Sequence, residues 1–158
     1  MNKFLKQILI LLLISTGSLN ADSMFLLTKI KNVYLVVENY STNISNTIKK
    51  DIKESLKSTT DELNIDSSGY SHRTLVVMIY NSSINNTLVL NVDLLLGEDV
   101  KRLDDNEEVY ALTYEAKSSI AITDQINEDL EDEVLDNVDL LLSDFISQYE
   151  EDNEWNYF

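Results

Sequence analysis

His72 is the only histidine of the 158-residue chain, and it is the first residue to consider for acid–base chemistry. A histidine works in catalysis when a nucleophile and an orienting acid lie beside it. His72 stands in a polar turn before a predicted strand, and no G-x-S-x-G segment presents a serine nucleophile. One histidine and no cysteine also exclude histidine-built and thiolate metal sites. The sequence therefore predicts no catalytic residue, no metal site and no cofactor.

The acidic run Asp104-Asp105-Asn106-Glu107-Glu108 offers oxygen ligands that a cation could use. It lacks both the ligand spacing and the glycine that bends a calcium-binding loop, which favours a solvated loop. Glycoside hydrolysis needs two carboxylates at a defined separation, and no such pair stands out among 28 acidic residues. A small hydrolase that uses Asp and Glu residues is the alternative function.

Two groups of aromatic residues could bind a partner. Tyr110 and Tyr114 have the spacing of one strand face, which favours cross-strand packing over a binding stripe. Trp155, Tyr157 and Phe158 end the chain after an acidic run and fit no periodic element. Exposed aromatic side chains anchor many protein interfaces. These three are the predicted partner-binding residues, and the alternative is that they fold back onto the sheet.

The composition excludes several classes of function. Twelve basic residues against 28 acidic ones give a net charge of −16, which argues against nucleic-acid binding and against anionic membrane surfaces. Hydrophobic residues make up 44% of the chain, which is enough for a packed core. The absence of cysteine excludes disulfides and the cysteine-linked anchor of bacterial lipoproteins.

Residues 1–21 have the pattern of an export signal. Lys3 and Lys6 provide the positive start, and the apolar run Ile8–Ile14 follows. This run is shorter than the roughly 20 residues that a membrane-spanning helix needs. Cleavage after Ala21 is predicted, with cleavage after Gly17 as the alternative and an uncleaved membrane anchor as a third possibility. The released protein would be periplasmic or secreted, without stable membrane insertion.

After a lead-in over residues 22–28, a single domain is predicted over residues 29–149. Hydrophobic alternation and β-rich composition predict four strands, the first of them central because it is apolar on both faces. A stripe of apolar residues at steps of three and four predicts the first helix. The strands are Lys29–Val37, Arg73–Tyr80, Thr87–Leu96 and Glu107–Ile122, and the helix is Ile44–Leu63, with Ser41, Thr42 and Asn43 as candidate caps.

The last long segment, Asp124–Tyr149, is predicted to be an amphipathic helix. One side is apolar and the other is almost wholly acidic. The apolar side comprises Ile126, Leu130, Val134, Val138, Leu141, Leu142, Phe145 and Tyr149. We expect Lys49, Lys53 and Lys57 of the first helix to flank the acidic side. Residues 150–158 form an acidic and aromatic C-terminal tail.

The order β-α-β-β-β-α predicts an α+β fold with a small four-stranded mixed sheet and two helices packed on one face. The helical crossover makes the first two strands parallel, and the later strands form an antiparallel meander. An export signal without a catalytic constellation favours an exported soluble binding or accessory protein of the bacterial cell envelope, and not an enzyme. The hypothesis includes an unknown protein partner in the envelope, and the sequence leaves the oligomeric state open.

Overall fold

The structure, a computed structural model, describes residues 26–122 and 129–154. Its elements follow the predicted order of strand, helix, three strands and helix. They are β1 (Tyr34–Asn39), α1 (Ile48–Glu62), β2 (Arg73–Ile84), β3 (Thr87–Lys101), β4 (Glu108–Ala121) and α2 (Leu130–Glu154). The predicted α+β class is confirmed.

The four strands form one mixed sheet in the order β1-β2-β3-β4. β1 is parallel to β2, and the two later pairs are antiparallel, as predicted. The prediction that β1 is central is wrong, because β1 is an edge strand. Its two apolar faces have different neighbours. Leu35 enters the helix-covered core, whereas Val36 faces the other way and lies beside Val76 of β2.

A tight turn at Asn85 and Asn86 makes the β2–β3 hairpin longer than predicted. Residues 81–84 were expected in a loop, but they pair with β3 as far as Ile84 opposite Thr87. Asn85 and Asn86 have φ angles of 50° and 65°, as a two-residue hairpin turn with the right twist requires. Asparagine tolerates this left-handed conformation better than most residues.

A β-bulge divides β4 into two parts, and side chains at even-numbered positions point to opposite faces of the sheet in the two parts. Leu96 of β3 pairs with Tyr114, but the next residue, Gly97, pairs with Leu112, so Thr113 is an extra residue. The expectation that Tyr110 and Tyr114 share one strand face is therefore wrong. An extra residue reverses the alternation of side chains on either side of it. Tyr114 therefore enters the core, whereas Tyr110 and Leu112 are exposed on the opposite face.

Helix α1 begins and ends differently from the prediction. It starts after Thr47, and the proposed caps instead shape the preceding turn, where the Ser41 hydroxyl accepts a hydrogen bond from the Asn43 amide. The helix ends at a left-handed Asn64, whose amide donates to the Asp61 carbonyl. The Ile65 amide donates to the Thr60 carbonyl, which completes a Schellman-type termination.

The lysine stripe of α1 does not flank the acidic helix. α1 and α2 are neighbours on the same face of the sheet. Lys49, however, forms an ion pair with Glu38 of β1, with 3.6 Å between Nζ and the carboxylate. Lys53 and Lys57 line a groove with Leu35 of β1. No ion pair joins the two helices within the described ranges, so the predicted arrangement is wrong.

The core lies between the sheet and the two helices. The described residues of both predicted apolar stripes lie there, and Ile52, Val134 and Phe145 are inaccessible to solvent, whereas Ile126 lies outside the described residues. The sheet contributes alternate residues such as Leu75, Val77, Leu94 and Tyr114, and the Tyr114 ring meets Phe145 edge-on at 5.2 Å between centroids. Neither described helix carries the long apolar run needed to cross a membrane.

Candidate functional site

The sheet face opposite the helices, called here the open face, is not covered by any described helix or strand. Its cross-strand rows follow from the pairing, for example Val36, Val76, Leu95 and Glu115. Leu95 is buried without belonging to the main core, because neighbouring side chains of the sheet cover it. The open face thus combines apolar and polar side chains on a rigid framework, as binding sites do.

Exposed aromatic side chains concentrate at one end of the open face, which we call the aromatic end (Tyr34, Tyr70, His72, Tyr110). Tyr34, on β1, is 44% exposed, and Tyr70, in the segment before β2, is 82% exposed. Their ring centroids are 6.3 Å apart, and Tyr70 meets His72 edge-on at 5.7 Å. Tyrosine offers a large contact area at a small entropic cost, which suits a binding surface.

Tyr110 enters the aromatic end because Gly97 has no side chain. A Cβ atom placed on Gly97 would lie 2.5 Å from the Tyr110 hydroxyl oxygen and 2.6 Å from a ring carbon. The Tyr110 ring therefore lies against the backbone of β3. In the next row, Gly97 is paired with Thr74, which is paired with Tyr34. The Tyr110 ring thus covers Gly97, and Thr74 lies between Gly97 and Tyr34 in this row.

Hydrogen bonds fix the segment that carries Tyr70. His72 Nδ1 lies 3.0 Å from the Asp99 carboxylate on β3. The Ser71 hydroxyl donates to the Asn32 side chain at 2.9 Å. These contacts border a pocket of about 300 Å³ beside the aromatic end. Its lining residues are Asn32, Tyr70, Ser71, His72, Arg73, Glu98 and Asp99.

His72 is held as a structural side chain in this arrangement. A catalytic triad would need a hydroxyl nucleophile bonded to the histidine ring. The nearby Ser71 hydroxyl donates to Asn32, and the described contacts of His72 are those to Asp99 and Tyr70. The chemical role considered for His72 therefore gains no support from its surroundings.

A buried carboxylate lies at the centre of the open face. Asp93 is only 3% exposed, and one carboxylate oxygen accepts a hydrogen bond from the Tyr80 hydroxyl at 3.2 Å. The other oxygen, Oδ1, has no hydrogen-bond partner in the described part of the chain. Burial raises the pKa of Asp93, while the Tyr80 hydrogen bond and the Lys117 charge lower it, and Glu115 raises it.

The alternative of a hydrolase needs two carboxyl groups with raised pKa values in one cleft. Asp93 is a carboxyl group whose pKa is raised, chiefly by burial. The pKa of Asp66 is instead lowered, because its carboxylate accepts hydrogen bonds from Ser68. General acid–base hydrolysis by two carboxyl groups requires a second such group nearby.

The acidic run from Asp104 to Glu108 is organised by an arginine. The Arg102 guanidinium forms ion pairs with Asp105 and with Glu107, the latter at 2.7 Å. No cluster of three or more histidine or carboxylate side chains within residues 26–122 and 129–154 is arranged to hold a metal ion.

Trp155, Tyr157 and Phe158, the predicted partner-binding residues, lie outside the described residues, so that hypothesis stays a prediction. The aromatic residues that the fold does bring together are Tyr34, Tyr70 and Tyr110. Sequence reasoning considered Tyr110 only together with Tyr114, and it missed the other two. The one available signal was Gly97, since a glycine inside a strand often marks a close approach or a bulge.

No family model matches the chain, and no curated protein matches it. Three solved structures share a partial likeness with it. A minor lipoprotein from Acinetobacter baumannii is 14% identical with a TM-score of 0.40, covering 75% of this chain and 91% of that one. PelC from Paraburkholderia phytofirmans, crystallised as a dodecamer, is 12% identical with a TM-score of 0.32, covering 70% and 86%. The rare lipoprotein B from Shewanella oneidensis is 10% identical with a TM-score of 0.35, covering 80% and 98%. The functional proposal below rests on the residues of this chain and not on these likenesses.

Proposed function

We propose that this chain is an exported accessory protein of the bacterial cell envelope and that it binds a protein partner through the aromatic end of its open face. The observation that carries the proposal is the group of exposed tyrosines at this end, with the rings of Tyr34 and Tyr70 6.3 Å apart and the Tyr110 ring over Gly97 in the row of Tyr34 and Thr74. These tyrosines have no role in the core, which lies on the other side of the sheet.

The cluster has the features of an interface hot spot. Tyrosine is enriched among the residues that dominate binding energy, and such residues sit in positions held by their neighbours. Here Tyr110 rests on the β3 backbone, and the segment carrying Tyr70 is fixed by the contacts of Ser71 and His72. Little conformational entropy is therefore lost when a partner docks.

The chemistry of the partner follows from the charge of the chain. A net charge of −16 attracts a partner whose contacting region is positively charged around an apolar anchor. The anchor would lie over Thr74, between Tyr34 and Tyr110, and the basic rim would face Asp99, an acidic group of the adjacent pocket. Electrostatic attraction of this kind raises the association rate and makes it dependent on salt.

Site-specific photo-crosslinking in intact cells tests the binding surface. A photoreactive phenylalanine analogue replaces Tyr70 in one variant and Tyr40 in a matched control. Tyr40 is also exposed, at 66%, and it follows the far end of β1, roughly 20 Å from Tyr34. We expect one envelope protein to be captured from position 70 and to disappear when Tyr110→Ala is added. Equal capture from both positions would contradict the proposed surface.

The export part of the proposal rests on the pattern of residues 1–21. N-terminal sequencing of the protein recovered from the periplasm or the medium is expected to start at Asp22. A chain that keeps Met1 in the membrane fraction would instead support the anchored alternative.

A further inference from the structure

The outer edge of β4 is a long strand edge with free pairing capacity. β4 spans 14 residues and ends the strand order, and no described strand pairs with its outer side. The Ile122 amide donates a hydrogen bond to the Leu88 carbonyl of β3. Because backbone groups alternate in direction along a strand, the N–H and C=O groups of the even-numbered residues that follow the bulge point toward β3. The backbone groups of Glu115, Lys117 and Ser119 therefore point outward. An exposed strand edge presents unpaired N–H and C=O groups, which can pair with a strand of another chain.

Charge selects one way in which this edge can pair with a second copy of itself. Antiparallel pairing about a two-fold axis must join outward-pointing residues, which are the odd-numbered ones. A two-fold axis at Glu115 would place Glu115 of one copy opposite Glu115 of the other, and an axis at Lys117 would place the two lysines opposite each other. Like charges directly opposite one another destabilise a strand pair. An axis at Ala116 instead places Lys117 opposite Glu115 of the second copy, twice.

An exposed leucine on α2, Leu140, lies at the level of Ala116 along β4. Asn137 of α2 contacts Ser118 of β4 through their side chains, and Phe145 meets Tyr114. Residue 140 is about midway between these contacts, at the level of Ala116. Leu140 lies three residues after Asn137, hence on the same flank of the helix, and it is 58% exposed. This flank faces the β4 edge, where the core offers no cover for an apolar side chain.

The position of α2 relative to the β4 edge also allows this pairing. α2 packs over both β3 and β4. Strands in a sheet lie about 4.8 Å apart, so pairing β4 with a second β4 would bring the two α2 helices to roughly 10 Å from each other. Packed helices prefer axial distances of about 8–10 Å. A continuous sheet across the axis and direct contact between the helices are therefore compatible.

We propose that two copies of this chain associate through antiparallel pairing of β4, with a two-fold axis at Ala116 and with Leu140 of each copy in contact across it. The bulge at Thr113 ends the regular ladder on either side, so the paired segment is short. Asp136, one turn before Leu140, then lies opposite Asp144 of the second copy, one turn after Leu140, and the repulsion between these carboxylates limits the affinity. This surface is separate from the aromatic end, and either proposal can fail without the other.

A single cysteine at the axis tests the register. Ala116 is at a non-hydrogen-bonded position, where opposite Cα atoms are about 4.5 Å apart, within the range of disulfides. The chain has no cysteine of its own. Ala116→Cys is expected to form a covalent dimer under mild oxidation. In the control Ser119→Cys, the two cysteines would lie about 20 Å apart and the protein should stay monomeric. Equal crosslinking of both variants, or of neither, would overturn the proposal.

Exchange of charges provides a second test that does not depend on crosslinking. Lys117→Glu and Glu115→Lys each place like charges opposite one another, and each is expected to raise the dimer dissociation constant at least about tenfold. Mixing the two variants brings opposite charges together again and should give a heterodimer. The double variant that carries both changes should dimerise like the parent. Sedimentation velocity measures these four samples and the parent, and a mixture that remains monomeric while the parent dimerises, or a parent that is monomeric throughout, would refute the pairing.

Discussion

The two faces of the sheet carry different kinds of residue, although the same strands build both. On the helix-covered face, β2 and β3 contribute apolar side chains to a continuous core, such as Leu75, Val77 and Leu94. On the open face, β3 carries the buried Asp93, and the exposed tyrosines come from β1, from β4 and from the segment before β2. Burial alone explains the first face. The second retains groups that folding does not need, which is typical of a surface that binds.

The largest contrast is expected between two aromatic residues on opposite sides of the sheet. Phe145 is inaccessible to solvent and packs on Tyr114, so Phe145→Ala should destabilise the protein by about 3–5 kcal/mol. Tyr70→Ala should change stability by no more than about 0.5 kcal/mol, because Tyr70 is mostly exposed. Denaturant unfolding measures both. Similar losses in the two variants would show that the open face is part of the folding core.

Val76 and Val77 are adjacent in β2 and point to opposite faces, so the same substitution can be compared on the two faces of the sheet. Val77 points into the core and is 1% exposed, so Val77→Ala should cost roughly 1.5–3 kcal/mol of burial free energy. Val76 points to the open face and is partly exposed, and Val76→Ala should cost clearly less. The same unfolding experiment would contradict the assignment of faces if Val76→Ala were the more damaging change.

The buried acid of the open face predicts a dependence of stability on pH. Because the pKa of Asp93 is raised by burial, the folded state binds its proton more tightly than the unfolded chain does. Its ionisation therefore lowers stability as pH rises from the ordinary value of 3.8 through the raised pKa. Asp93→Asn should be more stable than the parent at neutral pH, since asparagine still accepts the Tyr80 hydrogen bond. Below pH 3.8 the free energies of unfolding of the two proteins should converge.

Unfolding curves of the parent and the Asp93→Asn variant between pH 3 and pH 8 measure this difference. Tyr80, Lys117 and Glu115 surround position 93 in both proteins, so their own titration contributes about equally to both unfolding curves. A stability difference that is constant over the whole pH range would show that Asp93 does not titrate as described.

The smallest effect is expected at the surface ion pair between α1 and β1. Lys49→Glu opposes the Glu38 carboxylate and should destabilise by less than about 1 kcal/mol, more at low salt than at high salt. Lys53 has no ion-pair partner in the described part of the chain, so Lys53→Glu is the matched control. Thermal melts at two ionic strengths compare them, and equal shifts for both variants would argue against a specific Lys49–Glu38 contribution.

Local patterns in the sequence were sufficient for the element order, the α+β class and the buried stripes of both helices. Ile48, Ile52 and Leu56 on α1 are buried as predicted, because a helix has one fixed period and its apolar stripe must face the core. The alternation of Leu90, Val92 and Leu94 on β3 was equally informative, since side chains of a regular strand alternate strictly.

Tertiary structure alone decided the composition of the candidate site. One extra residue at Thr113 moved Tyr110 away from the face of Tyr114, and that bulge is defined by pairing with β3 and not by β4 itself. Tyr34 and Tyr70 are distant in the sequence and meet because β1 pairs with β2, and Tyr110 reaches Gly97 of β3 because the bulge turns it to the open face. The burial of Asp93 has the same origin, since neighbours on other strands cover it. Periodicity describes one element at a time, whereas a site is made by the contacts between elements.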